Sequence, residues 1–245
     1  VSSSSDARLL EDKVALVTGA SRGIGQAIAV ALAQQGARLA LVARSVKGLR
    51  QTAHQVENRG AECLVTAADV ANEAQVRRVV AEALERFGRV DILVNSAGVA
   101  AFRPLEETTE ADWDAMLDAN LKSPFLLMKH VVPLMVRQGK GDVVNIASIA
   151  ALHAFSNSSG YCASKAGLVG LSRAVSQEYR TRGIRVVAVC PGAVDTPLWD
   201  AAEQPPERSR MLRPEEVAKV VVAALTFSDT GVVDLLQVTP RDGIL

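Results

Sequence analysis

The sequence predicts an α/β domain: a doubly wound, mostly parallel sheet of seven strands with helices on both faces. Three observations carry this expectation. Short apolar runs alternate strictly with longer segments of helical length, the pattern of parallel strands joined by right-handed crossovers. Hydrophobic residues make up 49% of the 245 but aromatics only 4%, so the interior is Ala, Val, Leu and Ile, which suits strands covered on both faces. The first strand also runs directly into a glycine-rich turn, "TGASRGIG" at 18–25, beyond the carboxyl end of a strand where open α/β sheets hold ligands.

The expected strands, in order, are "VALVT" (14–18), "RLALVA" (38–43), "ECLVTAA" (62–68), "DILVNS" (91–96), "DVVNIAS" (142–148), "IRVVAVC" (184–190) and "DLLQVT" (234–239). Segments 23–35, 45–59, 72–87, 109–136, 159–182 and 214–226 lie between them as helices. No Pro/Gly/Ser-rich linker divides the series and no fixed-period repeat occurs. Residues 11–245 therefore form one domain behind a flexible segment, 1–10, whose serine run reads as a frayed terminus without a signal-peptide core. Residues 194–214 form a short lid over the substrate pocket.

Composition excludes several functions. The 27 basic and 27 acidic residues cancel, so no global field draws nucleic acid or an anionic membrane surface. No apolar run reaches the roughly 18 to 20 residues that span a bilayer. Cys63, Cys162 and Cys190 are odd in number and lack metal-ligand spacing. Reduced thiols in the cytoplasm, with no metal, are the expected state.

The glycine turn is the strongest local signal. Gly19, Gly23 and Gly25 permit a tight turn and a close backbone approach, and the helix that follows offers unpaired N–H groups and a positive dipole end to a pyrophosphate. The spacing is G-x-x-x-G-x-G, and no P-loop lysine is present. Asp69 stands at the tip of the third strand, and Asn95 and Gly98 at the tip of the fourth, where small residues let a flat ligand lie on the backbone. In "YCASK" (161–165), Tyr161 and Lys165 share one helical face while Cys162 and Ser164 point elsewhere. A nearby ammonium favours the phenolate. Pro124 lacks the N–H that would bond the carbonyl of Asn120, four residues back, so that carbonyl leaves the helix ladder.

These motifs together resemble the short-chain dehydrogenase/reductase family across nearly the whole chain. "TGASRGIG" (18–25), "DV" (69–70), "NSAG" (95–98), Asn120, Ser148, "YCASK" and "PG" (191–192) with Thr196 follow that family's order and spacing. Ser96 departs from it, since a second asparagine is commoner there. The resemblance implies a Rossmann-type domain and a carbonyl/alcohol oxidoreductase. Tyr161 would be the general acid, Ser148 would hold the carbonyl oxygen, and Lys165 would tune the phenol and bind the nicotinamide ribose. Asn120 would carry a water linking Lys165 to solvent. It also implies cofactor contacts from Gly19, Ser21, Arg22, Gly23, Ile24, Gly25, Arg44, Ser45, Asp69, Val70, Asn95, Ala97, Gly98, Tyr161, Lys165, Pro191, Gly192, Val194 and Thr196. Substrate contacts are expected from Ser148, Ala150, His153, Phe155, Tyr161 and Trp199.

The cofactor is expected to be NADP(H). An NAD enzyme of this architecture places an acid at the end of the second strand. Here Ala43 stands in that place, with Arg44 after it and Arg22 in the glycine turn, and two guanidiniums suit a 2′-phosphate. The substrate is a small carbonyl compound or its alcohol. A 3-oxoacyl thioester on a carrier protein or coenzyme A is the alternative, with Arg208, Arg210 and Arg213 as candidate contacts. A non-catalytic NADP(H)-binding sensor is the rival of another class. Finally, "YCASKAGLVGLSRAV" is apolar or small on nearly every side, and a helix of that kind needs cover all round. A homo-oligomer is expected, a tetramer by resemblance or otherwise a dimer.

Overall fold

The computed structural model describes residues 8–203, 205–228 and 230–244. Its sheet has seven strands: β1 (Val14–Thr18), β2 (Arg38–Ala43), β3 (Cys63–Ala67), β4 (Ile92–Asn95), β5 (Gly141–Ile146), β6 (Ile184–Pro191) and β7 (Leu235–Val238). They lie in the order β3-β2-β1-β4-β5-β6-β7, and every pairing is parallel. The strand order reverses between β1 and β4, which opens a crevice at their carboxyl ends.

The period of two along each strand sorts side chains to two cores. In β1, Ala15 and Val17 enter one apolar cluster and Val14 and Leu16 the other; in β4, Ile92 and Val94 oppose Leu93. Helices α1 (Gly23–Gln34), α2 (Val46–Glu57) and α7 (Pro214–Leu225) cover the first face. Helices α3 (Glu73–Phe87), α5 (Ser123–Gln138) and α6 (Ser159–Tyr179) cover the second. The short α4 (Glu110–Leu117) leads into α5 through a π-helical turn, Asp118–Lys122. The sequence placed this stretch in one helical segment, 109–136, with Pro124 releasing the Asn120 carbonyl from its ladder. The widened turn sits four residues ahead of Pro124, which has no N–H to give.

Residues 1–7, with the serine run, lie outside the described residues. Leu10, placed in the flexible segment by sequence, is instead buried, and its N–H donates to the Gln35 carbonyl, 2.9 Å away. An apolar side chain that closes the amino end of the first core is not free to fray.

Candidate active site

The three N-termini nearest the carboxyl edge of β1 to β4 differ in how their free N–H groups are met. Ser45 caps α2 by accepting from Gly48 N, and Asn72 caps α3 by accepting from Gln75 N. Helix α1 has Arg22 at its N-cap, no side-chain cap and no acid in its first turn. Its N–H groups therefore remain available to an anion. The backbone leading into it is crowded. A Cβ on Gly19 would come 2.8 Å from the Ala97 nitrogen, at a φ of +64°, and a Cβ on Gly25 would meet the Gly19 carbonyl oxygen at 2.5 Å. Only glycine allows that approach.

Above this turn lies a cleft of about 1020 Å³. Its walls include Gly19, Ser21, Arg22, Gly23, Ile24 and Gly25 from the first turn, Arg44 and Ser45 from the second, and Asp69 and Val70 from the third. Ala97, Gly98, Thr196, Tyr161 and Lys165 line it farther along. Most of the expected cofactor residues thus share one surface. Lys47, the second residue of α2, lines it too; no sequence motif marks it. Asp69 is exposed, and its Oδ1 accepts from Ala71 N at 3.0 Å, which shapes the turn after β3. A long cleft with an uncapped helix N-terminus at one end and buried polar groups at the other fits a dinucleotide.

Four expected cofactor residues do not line the cleft. Asn95 is buried in register with Asn145, and its Nδ2 donates to Asn145 Oδ1 at 2.7 Å. Asn145 in turn donates to Ser172 Oγ at 2.8 Å. Asn95 therefore braces β4 to β5 and, through them, α6. Pro191 and Gly192 are held in the β6–β7 ladder, with Gly192 N donating to the Val238 carbonyl at 2.8 Å. Val194 is buried and bridges to Leu212. The four residues shape the crevice from behind because strand pairing claims them first.

The catalytic candidates meet at the cleft's far end. Ser148, at the end of the segment that follows β5, accepts from Ala150 N at 3.1 Å. Lys165 is buried, and its Nζ donates to the Ile146 carbonyl at 2.9 Å while lying 5.8 Å from the centroid of the Tyr161 ring. Asn120 is fully buried. Its Oδ1 accepts from Val99 N, and its Nδ2 donates to the Val99 carbonyl and to Ser164 Oγ, each at 2.9 Å. Ser164 Oγ donates to the Tyr161 carbonyl, also at 2.9 Å. Ser164, set aside in the sequence as pointing elsewhere, is therefore the tie between two catalytic candidates. A buried serine beside the motif's lysine was the available signal.

The electrostatics depart from expectation in one respect. Burial pushes the Tyr161 phenol up, with a hydrogen bond to the Ser148 side chain opposing the rise. The Lys165 ammonium is turned to the Ile146 carbonyl, 5.8 Å from the centre of the Tyr161 ring. Burial instead lowers the lysine itself, to about 8, and the neighbouring Cys190 opposes that. Cys190 is fully buried, with its thiol held up by desolvation.

Two aromatic side chains gather beside Tyr161. Phe102, on the strap after β4, lies 6.2 Å from the Tyr161 ring. Trp199, on the lid, stacks on Phe102 at 5.3 Å with the rings parallel to 1°, and its indole N–H donates to the Val194 carbonyl at 3.1 Å. Phe102 had no sequence signal, because nothing local ties it to Tyr161 or Trp199. Of the expected substrate residues on the loop after β5, Ala150 is buried, Phe155 half-buried and His153 exposed.

A sequence model of the short-chain dehydrogenase family matches residues 13–207. The chain belongs to that family. It is an oxidoreductase, and the family binds a nicotinamide cofactor. Levodione reductase of Leifsonia aquatica is 39% identical over 251 residues, covering 95% of this chain and 93% of the relative. The crystal structure of levodione reductase superposes with a TM-score of 0.88 at 36% identity, over 93% of this chain and 96% of that one. A 3-oxoacyl-[acyl-carrier-protein] reductase, FabG, of Thermotoga maritima is 35% identical over 224 residues, 87% of this chain and 90% of its own. A metagenomic member of the family, solved in complex with NADP, has a TM-score of 0.84 at 35% identity over 95% of this chain and 99% of its own.

Proposed function

We propose that the protein is an NADPH-dependent reductase that converts a ketone or aldehyde carbonyl to an alcohol, reversibly. The observation that carries the reading is the convergence of Tyr161, Ser148, Lys165 and Asn120 at one end of the dinucleotide cleft. A nicotinamide cofactor held in the cleft would supply the hydride for the carbonyl carbon. Ser148 hydrogen-bonds the carbonyl oxygen and holds it toward Tyr161. The Tyr161 O–H gives its proton to that oxygen as negative charge develops there, leaving phenolate. Lys165 would hold the ribose hydroxyls, and a proton from solvent would return to the phenolate through Lys165 and the Asn120 region. Burial raises the phenol's pKa and makes Tyr161 by itself a weak acid. With a cofactor in place, the ammonium's approach to the phenol would favour its ionisation.

Preference for NADP(H) rests on Ala43, which leaves no carboxylate at the end of β2, and on three exposed cations at that corner, Arg22, Arg44 and Lys47. The NADP found with the metagenomic relative supports it. We place the reaction in the cytoplasm, in keeping with three free cysteines. Among the described residues no helix is long and apolar enough to cross a membrane.

The likeness to FabG favours a 3-oxoacyl thioester as a second reading. The lid arginines weaken it. Arg208 pairs with Asp195 and Asp200, Arg210 with Asp242, and Arg213 with Glu216, so each would meet a carrier's acidic helix with a carboxylate of this chain already beside it. A non-catalytic sensor would have no need of four buried or half-buried catalytic groups. A carbonyl panel, followed by NADPH absorbance with NADH in parallel, tests the reading; no turnover of any member would refute it.

We further propose a homo-oligomer, a tetramer before a dimer. The inner side of α6 is buried through Leu168, Val169, Ser172 and Ser176, whereas Ala163, Ala166, Gly170 and Ala174 are exposed in a row on the other. Phe125 (46% exposed) and Trp113 (39%) extend apolar surface on the neighbouring helices. Small residues in a row let a second helix approach closely. A monomeric mass by light scattering at micromolar concentration would refute assembly.

A further inference from the structure

We propose that the substrate is an uncharged cyclic ketone, selected by the Phe102–Trp199 pair. This deepens the reductase reading above and rests on it.

Two observations converge. The first is shape. A substrate whose carbonyl oxygen reaches the Tyr161 hydroxyl must set its carbon skeleton beside Phe102, whose ring centroid is 6.2 Å from that of Tyr161. Trp199 stacks parallel on Phe102 at 5.3 Å and extends its apolar surface. The indole is pinned by its bond to the Val194 carbonyl, and the strap is pinned where Arg103 N donates to the Asn157 carbonyl at 2.8 Å. The pair is thus a fixed, flat, apolar wall. A ring gains contact with such a wall without losing torsional freedom, whereas an open chain must be frozen to match it.

The second is charge. A phosphorylated, carboxylated or carrier-bound substrate needs a cation near the reacting centre. Arg103 is met by Asp112 at 3.5 Å. Arg208 is gripped twice, by Asp195 at 2.5 Å and Asp200 at 2.6 Å, and also donates to the Thr196 carbonyl. Arg210 and Arg213 end on Asp242 and Glu216. The loop 149–158 contains no lysine or arginine, and Lys165 is buried against the Ile146 carbonyl. An anionic substrate would have to compete with this chain's own carboxylates. The free cations Arg22, Arg44 and Lys47 stand at the cofactor's other end.

Three six-carbon ketones separate shape from charge: cyclohexanone, hexan-2-one and 5-oxohexanoate. With the wild-type enzyme and NADPH, kcat/KM is expected to fall in that order, by about fivefold or more at the first step, the scale of an aromatic-face contact. Phe102→Leu keeps apolar bulk but removes the flat face, and should collapse the cyclohexanone-to-hexan-2-one ratio toward one. An unchanged ratio in that variant, or 5-oxohexanoate as the best substrate, would overturn the proposal. Saturation-transfer NMR of the same three ketones on the wild-type enzyme with NADP+ gives an arm independent of turnover. If none is reduced yet the binding order holds, the reductase reading falls and the selectivity stands. If all three bind alike, the selectivity falls whatever the turnover.

Discussion

Asn120 and Ser164 hold one another inside the protein: the amide Nδ2 donates to the hydroxyl oxygen at 2.9 Å, and both side chains are completely buried. Through this bond the π-helical turn before α5 is tied to the second-last position of the "YCASK" stretch, and through Ser164 Oγ to the Tyr161 carbonyl. Ser164→Ala removes the shared hydroxyl without adding bulk. Part of the Asn120 amide's hydrogen bonding is then lost in a dry site, which costs about 1 to 2 kcal/mol. A urea midpoint unchanged from wild type would show that the tie carries no strain or stability.

Tyr161→Phe is expected to abolish nearly all turnover while leaving NADPH affinity within about twofold, because only the proton donor disappears. Single-turnover kinetics together with a fluorescence titration of NADPH check both halves. Turnover within tenfold of wild type would remove Tyr161 from its assigned role.

Lys165 links pH to stability. Its folded pKa, about 8, lies below the ordinary 10.5. Between those values the unfolded chain keeps a proton that the folded one has shed, so this group's contribution to stability rises with pH from about 8 to 10.5. Below 8 its desolvation cost is present in full. Lys165→Met should therefore exceed wild type in cofactor-free stability at pH 7, by about 2 kcal/mol once the lost bond to Ile146 is counted. The gap should narrow as pH climbs above 8. Denaturant titrations at pH 7 and pH 10 measure it; a gap that widens with pH contradicts the assignment. The same loss should weaken NADPH binding, since the ribose loses its ammonium.

Cofactor preference is expected to reside at the end of β2. Ala43→Asp with Arg44→Ala introduces a carboxylate and removes a guanidinium, and should shift the NADPH-to-NADH ratio of kcat/KM toward NADH. Loss of one charge-assisted contact accounts for about ten- to a hundredfold. Lys47→Ala, one turn farther on, should weaken NADPH binding by a smaller factor and leave NADH unaffected. Equal effects on the two cofactors would place Lys47 outside the 2′-phosphate's reach.

Sequence alone determined the layers, the strand sites and the crevice. Those properties follow from local periodicity, from glycines at a strand–helix turn and from Pro124, and each needs only a few neighbouring residues to act. The shared helical face of Tyr161 and Lys165 was legible for the same reason, while their candidate role came from the order and spacing of motifs along the whole chain. Tertiary structure decided which polar residues serve the cleft and which serve the sheet. Asn95 and Asn145 lie 50 positions apart, and only the β4–β5 register turns Asn95 into a brace. It decided that the lysine faces the Ile146 carbonyl, and that Phe102, Tyr161 and Trp199, from three separate segments, meet in one wall. Contacts between distant segments depend on sheet order and helix packing, and no local pattern carries that information.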